Sequence, residues 1–319
     1  MSNKGKLTKN ELSKTAFCTI IFVLGTAGPL LGFLGRWNWF FDLFNHFRVQ
    51  FTVILLIAAA LLCLGKAFKK ATFSILLLAY CVSSIAPYFL IGNLAHENPA
   101  RPLKIFYANV YTANHDHSRL GDAIKTKNPD ALIFLEINQR WKNYLETELN
   151  DFKYRELIPR EDNFGIAVFS KIPMTITTEY AGSAEVPSLR CEFMLDGRKV
   201  VLWATHPLPP VGKVYWMHRN EQLKEISRRL SDEQKPTLLI GDLNTTPWTH
   251  WFKTVTENRL KDSRVGFGLQ PSWPSMWPVF LRIPIDHLLY TREFSIAKRQ
   301  VLDDIGSDHF PLYAEVFLK

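Results

Sequence analysis

The stretch Leu238-Leu239-Ile240-Gly241-Asp242-Leu243-Asn244 constrains this chain more than any other. Three aliphatic residues in a row read as a buried strand. Gly241 lets the chain turn as the strand ends, and Asp242 and Asn244 follow at once. Residues two apart point the same way in a strand or tight turn, so a carboxylate and an amide leave one strand end together. Oxygen donors of this kind suit Mg²⁺ or Mn²⁺ and the phosphates they bind. Taken alone, the stretch equally suits a strand followed by an Asx turn, with Thr245 or Thr246 opening a helix.

The same punctuation recurs along the second part of the chain. Residues 103–108 alternate as a strand and end at Asn109. Residues 131–135 are a near-continuous apolar run, the pattern of a strand buried on both faces, and end at Glu136. A strand over 164–170 closes on Lys171-Ile172-Pro173, and strands over 189–195 and 199–205 flank the turn Asp196-Gly197. The second of these runs into Thr205-His206-Pro207. Helical spacing is expected over 116–127, around Trp141 to Leu149, and over 218–230. Asp286 follows Ile283-Pro284-Ile285, and the last strands flank Gly306-Ser307-Asp308-His309. Singly, each polar residue has an ordinary reading. Glu136 suits a helix N-terminus, Asn109 a turn, His206 a loop, and Asp286 and Asp308 caps or turns. Jointly, Asn109, Glu136, His206, Asp242, Asn244, Asp286, Asp308 and His309 all stand at strand ends, where layered α/β folds build their sites.

The first 92 residues differ in kind. Residues 15–34 carry no charge, which is about enough to cross a roughly 30 Å hydrocarbon core. Further apolar runs cover about 49–65 and 72–92. Three transmembrane helices are expected, with Trp37, Trp39, Phe40 and Phe41 as interfacial flanks. The middle run also suits a buried core helix, and the first resembles a signal peptide behind Lys4, Lys6, Lys9 and Lys14. A retained anchor explains all three runs together. Those lysines and Lys66, Lys69 and Lys70 place the tail and the second connection in the cytoplasm. Everything after the third span is then extracytoplasmic, facing the periplasm from the inner membrane of a Gram-negative cell. Residues 93–102 read as a short linker to a domain over 103–319.

At 319 residues and a formal charge of +8, the chain permits anionic partners without choosing among them. No long basic run occurs, so a generally basic surface explains the charge equally well. Three of the four cysteines lie in the apolar part, which leaves no disulfide within the second part and no zinc spacing.

Taken in order, strand-Asn109, strand-Glu136, Gly165 to Pro173, Thr205-His206, Gly241-Asp242-Leu243-Asn244, Ile285-Asp286-His287 and Gly306-Ser307-Asp308-His309 resemble the endonuclease/exonuclease/phosphatase superfamily. That superfamily includes DNase I-like nucleases, bacterial sphingomyelinases and inositol-polyphosphate phosphatases. The resemblance covers about 103–319. Leu135 stands where the family often has Gln, and Leu243 where it has Phe; neither change removes a ligand. The motifs assign no position to the family's additional phosphate-binding Arg or Tyr.

The resemblance implies an α/β fold, a four-layer α/β/β/α sandwich, behind the three transmembrane helices. It implies that Glu136, with Asn109 and Asp308, holds Mg²⁺ or Mn²⁺ against a phosphate oxygen. Asp242 activates the attacking water, while Asn109 and Asn244 contact the phosphate. His309, oriented by Asp286, binds the phosphate, and His206 protonates the leaving oxygen. The expected activity is metal-dependent hydrolysis of a phosphate ester, most simply a diester, in nucleic acid, phospholipid or inositol phosphate. No protein partner is expected. The Trp- and Pro-rich loop over 271–278 either packs on its own domain or meets a bilayer interface. A domain that keeps the fold as a membrane-tethered binding module is the other reading, and it has no need of the full polar set.

Overall fold

The computed structural model describes residues 9–90, 101–257 and 259–319. The chain divides into two compact units, Met1–Ala86 and Pro87–Lys319.

The first unit holds helices α1 (Lys9–Gly32), α2 (Trp39–Asn45), α3 (Arg48–Leu64) and α4 (Phe68–Ile85). Two stretches, Thr15–Gly32 and Phe68–Phe89, are long and apolar enough to cross a bilayer. The expected middle span is α3, which has 17 residues. At 1.5 Å per residue it reaches only about 25 Å, short of a typical core. It is bent by 68° from α2, and only the broken pair counted together makes a third span. The helices pack closely where small residues allow: a Cβ on Gly28 would lie 2.1 Å from the Phe51 ring.

The second unit opens with α5 (Pro87–Leu90). The linker expected over 93–102 lies, except for Arg101 and Pro102, outside the described residues. The strands are β1 (Leu103–Asn109), β2 (Ala131–Leu135), β3 (Tyr154–Ile158), β4 (Ile166–Ser170), β5 (Met174–Tyr180), β6 (Pro187–Leu195), β7 (Arg198–Ala204), β8 (Thr237–Asp242), β9 (Lys261–Asp262), β10 (Asp286–Tyr290), β11 (Phe294–Val301) and β12 (Leu312–Leu318). Helices α6 (Ser118–Lys127), α7 (Gln139–Glu148), α8 (Lys213–Asp232) and α9 (His250–Thr256) lie between them.

Two six-stranded sheets result, in the orders β11-β12-β1-β2-β4-β3 and β5-β6-β7-β8-β10-β9. The period-two pattern sorts each strand between two cores. Leu103, Ile105 and Tyr107 of β1 enter one with Leu189, Cys191, Leu202, Leu238 and Ile240 of the second sheet. Phe106 and Ala108 turn the other way, toward Leu120 of α6 and Trp141 of α7. On β2, Ile133 and Leu135 divide from Leu132 and Phe134 in the same fashion. Helices α8 and α9, with Trp216, Leu223, Trp251 and Phe252 buried, supply the remaining layer. This is the α/β/β/α layering that the motifs implied.

Local chemistry sets the element ends. Asn138 Oδ1 accepts the Trp141 N–H at 3.1 Å to start α7, and Thr249 Oγ accepts the Phe252 N–H at 3.0 Å to start α9. The strands that sequence pattern did not anticipate are β3, β5 and β9, which are edge strands, and β10, which Asp286 opens where the pattern had it closing the run Ile283-Pro284-Ile285. Exposed positions interrupt the apolar run that marks a central strand: β3 begins with two and β5 alternates. Helix α8 starts five residues earlier than its spacing suggested, because its first turn carries exposed Val214, Tyr215 and Met217.

At Gly241 the chain passes so close to β7 that an added Cβ would lie 1.9 Å from the Thr205 carbonyl oxygen. Gly241→Ala should therefore cost about 3 kcal/mol, the upper range for overpacking. The thermal midpoint of the detergent-solubilised protein should fall by roughly 10 °C. Gly197→Ala is the control. Nothing lies within 4 Å of its Cβ position, and only the left-handed backbone at φ +78° opposes the change, costing about 1 kcal/mol.

Candidate active site

The polar strand ends converge because parallel neighbours finish on the same rim. In the first sheet β1 and β2 are parallel, with Asn109 opposite Leu135, so Asn109 and Glu136 leave adjacent ends. In the second sheet the parallel pair is β7 and β8, which lead to His206 and Asp242. Strand β10 runs back against β8 and sets Asp286 opposite Asp242. The connection from β11 to β12 carries Asp308 and His309.

The backbone is held in uncommon conformations here. Glu136 has φ +60° and Asn244 φ +49°, the left-handed region that side chains other than Gly seldom adopt. Asn is among the better-tolerated exceptions; Glu is not, so its surroundings must hold it. The Glu136 N–H donates to the Gly165 carbonyl at 2.8 Å, and the Thr112 hydroxyl donates to the Glu136 carbonyl at 2.9 Å. Only glycine fits at 165, since a Cβ there would lie 1.8 Å from the Ile137 carbonyl oxygen.

Four ionisable side chains form the centre. Asp242 Oδ2 lies 3.7 Å from His206 Nε2 and 3.7 Å from His309 Nε2, so one carboxylate oxygen stands between two imidazoles. Its other oxygen accepts the Asn244 N–H at 2.8 Å. Asn244 Nδ2 donates to the Pro207 carbonyl at 2.9 Å, which fixes its amide. His309 Nδ1 lies 2.9 Å from Asp286 Oδ2, while the Tyr107 hydroxyl donates to Asp286 Oδ1 at 2.5 Å. Burial opposes charge on both partners of the His309–Asp286 pair. Their mutual attraction outweighs it, raising the imidazole above its ordinary pKa and holding the carboxyl below its own. Burial and the Asp286 carboxylate push the Tyr107 phenol well up, so it stays a neutral donor.

Glu136, Asn109 and Asp308 form the oxygen-rich side. Asn109 Nδ2 donates to Glu136 Oε1 at 2.8 Å, and Asn109 Oδ1 accepts the Tyr111 N–H at 3.1 Å. Asn109 therefore meets Glu136 through its nitrogen and orients that carboxylate. Burial raises the Glu136 pKa against the pull of His206, Asn109 and His309, and Asp308 adds to the rise. Trp273 Nε1 donates to Asp308 Oδ2 at 3.1 Å. Asp308 Oδ1 is buried with no hydrogen-bond partner among the described residues. An orphaned, buried carboxylate oxygen beside a second, half-buried carboxylate is costly by itself and suits a hard cation.

Ligand atoms of Asp242, Asp286 and His309 also lie within 4.8 Å of one another. Both oxygens of Asp286 are already hydrogen-bonded, to Tyr107 and His309. That trio is better described as a carboxylate–imidazole network than as a metal cage.

Several contributors were not visible as site residues in the sequence. Tyr107 reads as an inward core position of β1, and Trp273 as part of an aromatic loop. His287, one residue beyond Asp286, is fully buried and braces the turn after β8. Arg264 can only donate, so His287 Nδ1, 2.6 Å from its guanidinium, is the acceptor. Nε2 then carries the proton and donates to the Thr245 carbonyl at 2.8 Å. Burial and Arg264 push the His287 pKa down to about 3, which keeps this tautomer neutral.

A profile of the endonuclease/exonuclease/phosphatase family matches residues 106–309. No curated protein resembles the chain closely enough to count as a match. Among solved structures, an endonuclease/exonuclease/phosphatase from Beutenbergia cavernae is 20% identical with a TM-score of 0.52, covering 69% of this chain and 72% of that one. The mannosyl-6-phosphatase Bt3783 of Bacteroides thetaiotaomicron is 16% identical at TM-score 0.57, over 68% of this chain and 100% of its own. D. rerio TDP2, humanized by 14 mutations, is 14% identical at TM-score 0.58 with coverages of 68% and 100%. At such identities the structural likeness speaks for the fold. With the profile spanning most of the chain and the two sheets stacked between helices, the chain belongs to the endonuclease/exonuclease/phosphatase family.

Proposed function

We propose that the protein is a membrane-anchored, divalent-metal-dependent phosphohydrolase that cleaves a phosphate ester, most simply a diester, by in-line attack of water. The observation that carries this reading is the Asp242 carboxylate held 3.7 Å from each of two buried imidazoles, beside the half-buried carboxylates of Glu136 and Asp308. Phosphoryl transfer needs positioning and charge neutralisation more than covalent chemistry, and this set supplies both.

Asp242 orients the attacking water and takes its proton. Its second oxygen is pinned by the Asn244 N–H, which leaves Oδ2 for the water. His309, kept protonated by Asp286, binds a phosphate oxygen and stabilises the charge that develops on it. Asn244 and Asn109 border the phosphate, and Asn109 also positions Glu136. His206 Nδ1 is buried without a hydrogen-bond partner among the described residues, and Nε2 faces Asp242. That imidazole protonates the leaving oxygen. Glu136 and Asp308 would hold Mg²⁺ or Mn²⁺. Such an ion supplies Lewis acidity at the phosphate.

Helices α1, the α2–α3 pair and α4 make three spans in this reading, with the second unit on the extracytoplasmic side. The clusters Lys4, Lys6, Lys9, Lys14 and Lys66, Lys69, Lys70 support that orientation.

The detergent-solubilised protein should hydrolyse a phosphodiester such as bis-p-nitrophenyl phosphate with Mg²⁺ or Mn²⁺ and lose that activity in EDTA. Asp242→Asn and His309→Ala should each lower kcat by about 10²- to 10⁴-fold, and Glu136→Gln should abolish metal stimulation. Full activity in EDTA, or an unaffected His309→Ala, sinks the assignment. Metal-free protein that neither cleaves nor binds Mn²⁺ points to the binding module instead.

A second outcome concerns pH. His309 gains its partner on folding, so its raised pKa contributes stability that is present below the ordinary imidazole range near 6.5 and lost as pH rises through the folded value. Asp286, depressed, contributes above the ordinary carboxylate range near 3.9 and loses that as pH falls through its folded value. The His309 imidazolium should persist well above pH 7 in the native protein and, in Asp286→Asn, deprotonate nearer the ordinary range around pH 6.5. The His309 ring resonances followed by NMR against pH check this, and a titration unchanged in Asp286→Asn would remove Asp286 from this role.

A further inference from the structure

Resting on the phosphohydrolase reading, we infer that two exposed apolar rims seat the site on a bilayer surface and that its substrate is the phosphate ester of a membrane lipid.

The first rim is the loop between Trp273 and Ile283. Its base is closed by these two residues, whose N–H groups and carbonyls exchange hydrogen bonds of 3.2 and 2.6 Å. That base is tied to the site. Besides the Trp273–Asp308 bond, the Ser275 N–H donates to the Asp308 carbonyl at 2.7 Å, and Ser275 Oγ donates to the Ser307 carbonyl at 2.6 Å. Arg282 lies over the Phe310 ring at 4.2 Å. The side chains at the tip are exposed: Met276 by 71%, Trp277 by 47%, Val279 by 60% and Phe280 by 67%. No charged residue interrupts 271–281.

The second rim leaves the site from the other imidazole. His206 is followed by Pro207, whose carbonyl is held by Asn244, and then by the exposed side chains Val211, Val214, Tyr215 and Met217. Single exposed apolar residues are normal on a soluble surface. Two groups of them, one starting at Val211 after His206 and one on the loop hydrogen-bonded to Asp308, are not, and such groups mark interaction surfaces.

Three observations favour a bilayer as the occupant. Trp277 and Tyr215 are the side chains that settle at headgroup depth. Lys213 lies within the second group and Arg282 beside the first, in a chain of net charge +8, which suits anionic headgroups. The chain also carries its own apolar spans, Thr15–Gly32 and Phe68–Phe89. Covalent connection keeps the domain near any bilayer those helices cross. A lipid phosphate then lies at the depth that rims dipping below the headgroups would bring to Asp242 and His309. In the reaction, water oxygen bonds to phosphorus and the P–O bond to the leaving alcohol breaks. One proton reaches the leaving oxygen, and the phosphate product keeps the new hydroxyl.

The test uses the full chain in nanodiscs of phosphatidylcholine, phosphatidylethanolamine and phosphatidylglycerol, with Mg²⁺ or Mn²⁺. Lipid phosphate-ester cleavage is followed beside cleavage of soluble bis-p-nitrophenyl phosphate. The variants are W277S/V279S on one rim and V214S/M217S on the other. The expected result is lipid cleavage by the native protein, reduced about tenfold or more in both variants, with soluble-diester rates within twofold of native. Soluble-diester cleavage with no lipid cleavage overturns the inference while leaving the phosphohydrolase intact. So does lipid cleavage at native rates in both variants, which frees the rims for a protein partner. An equal loss on both substrates assigns the rims to folding and also overturns it. If neither substrate is cleaved by the native protein, the phosphohydrolase reading fails, and this inference falls with it.

Discussion

Both carboxylate oxygens of Asp286 are in use, and through them the two sheets are joined at the rim of the molecule. The Tyr107 hydroxyl comes from β1 of the first sheet, Asp286 opens β10 of the second, and His309 arrives on the loop before β12. The core between the sheets is apolar and fixes their separation without direction. The hydrogen bonds at its polar end are directional, and each involving an ionised group is worth about 1.5–3 kcal/mol. Removing one partner of a buried ion pair costs about 3–5 kcal/mol, because the survivor stays buried and unpaired. The link therefore sets where His309 stands, and His309 in turn faces Asp242.

Around this link the backbone is brought unusually close. Gly241 passes the Thr205 carbonyl and Gly165 passes the Ile137 carbonyl at distances no side chain permits. These two approaches draw the ends of β7 and β8 together, and the end of β2 against β4. Asp242 and His206 meet, and Glu136 is held at a positive φ. Behind them the neutral His287 and the buried Arg264 brace Thr245. Asp262 accepts from Arg264 at 2.8 Å and keeps that guanidinium paired. The site is stiff because its supporting shell is buried, and phosphoryl chemistry profits from dipoles that need not reorganise.

The strand-end pattern carried much of this in advance. Asn109, Glu136, His206, Asp242, Asn244, Asp286, Asp308 and His309 each follow or precede an apolar run, and apolar periodicity is a local property that one chain displays. Edge strands β3 and β5 escaped it because exposure on one side removes the apolar run. The run over 49–65 was read as a span, while α3 alone is short, bent from α2, and counts as one only together with α2. Tyr107 escaped because an inward tyrosine on a central strand looks like core, and it is core until its hydroxyl finds Asp286. Asn109 was read as a metal and phosphate ligand; in the fold its oxygen also accepts from Tyr111 and its nitrogen donates to Glu136.

Local pattern thus settles most of the central strands, most of the polar residues that border them, and that the first part of the chain is apolar. These depend on hydrogen bonding and burial over a few neighbouring positions. It does not settle which oxygen of Asp286 meets Tyr107, that His287 braces while Asp286 orients, or that the tip of the aromatic loop stays exposed. Those depend on partners 42 positions apart for His287 and Thr245, and 179 for Tyr107 and Asp286. Only packing two sheets face to face brings such pairs within the 3 Å over which hydrogen bonds act.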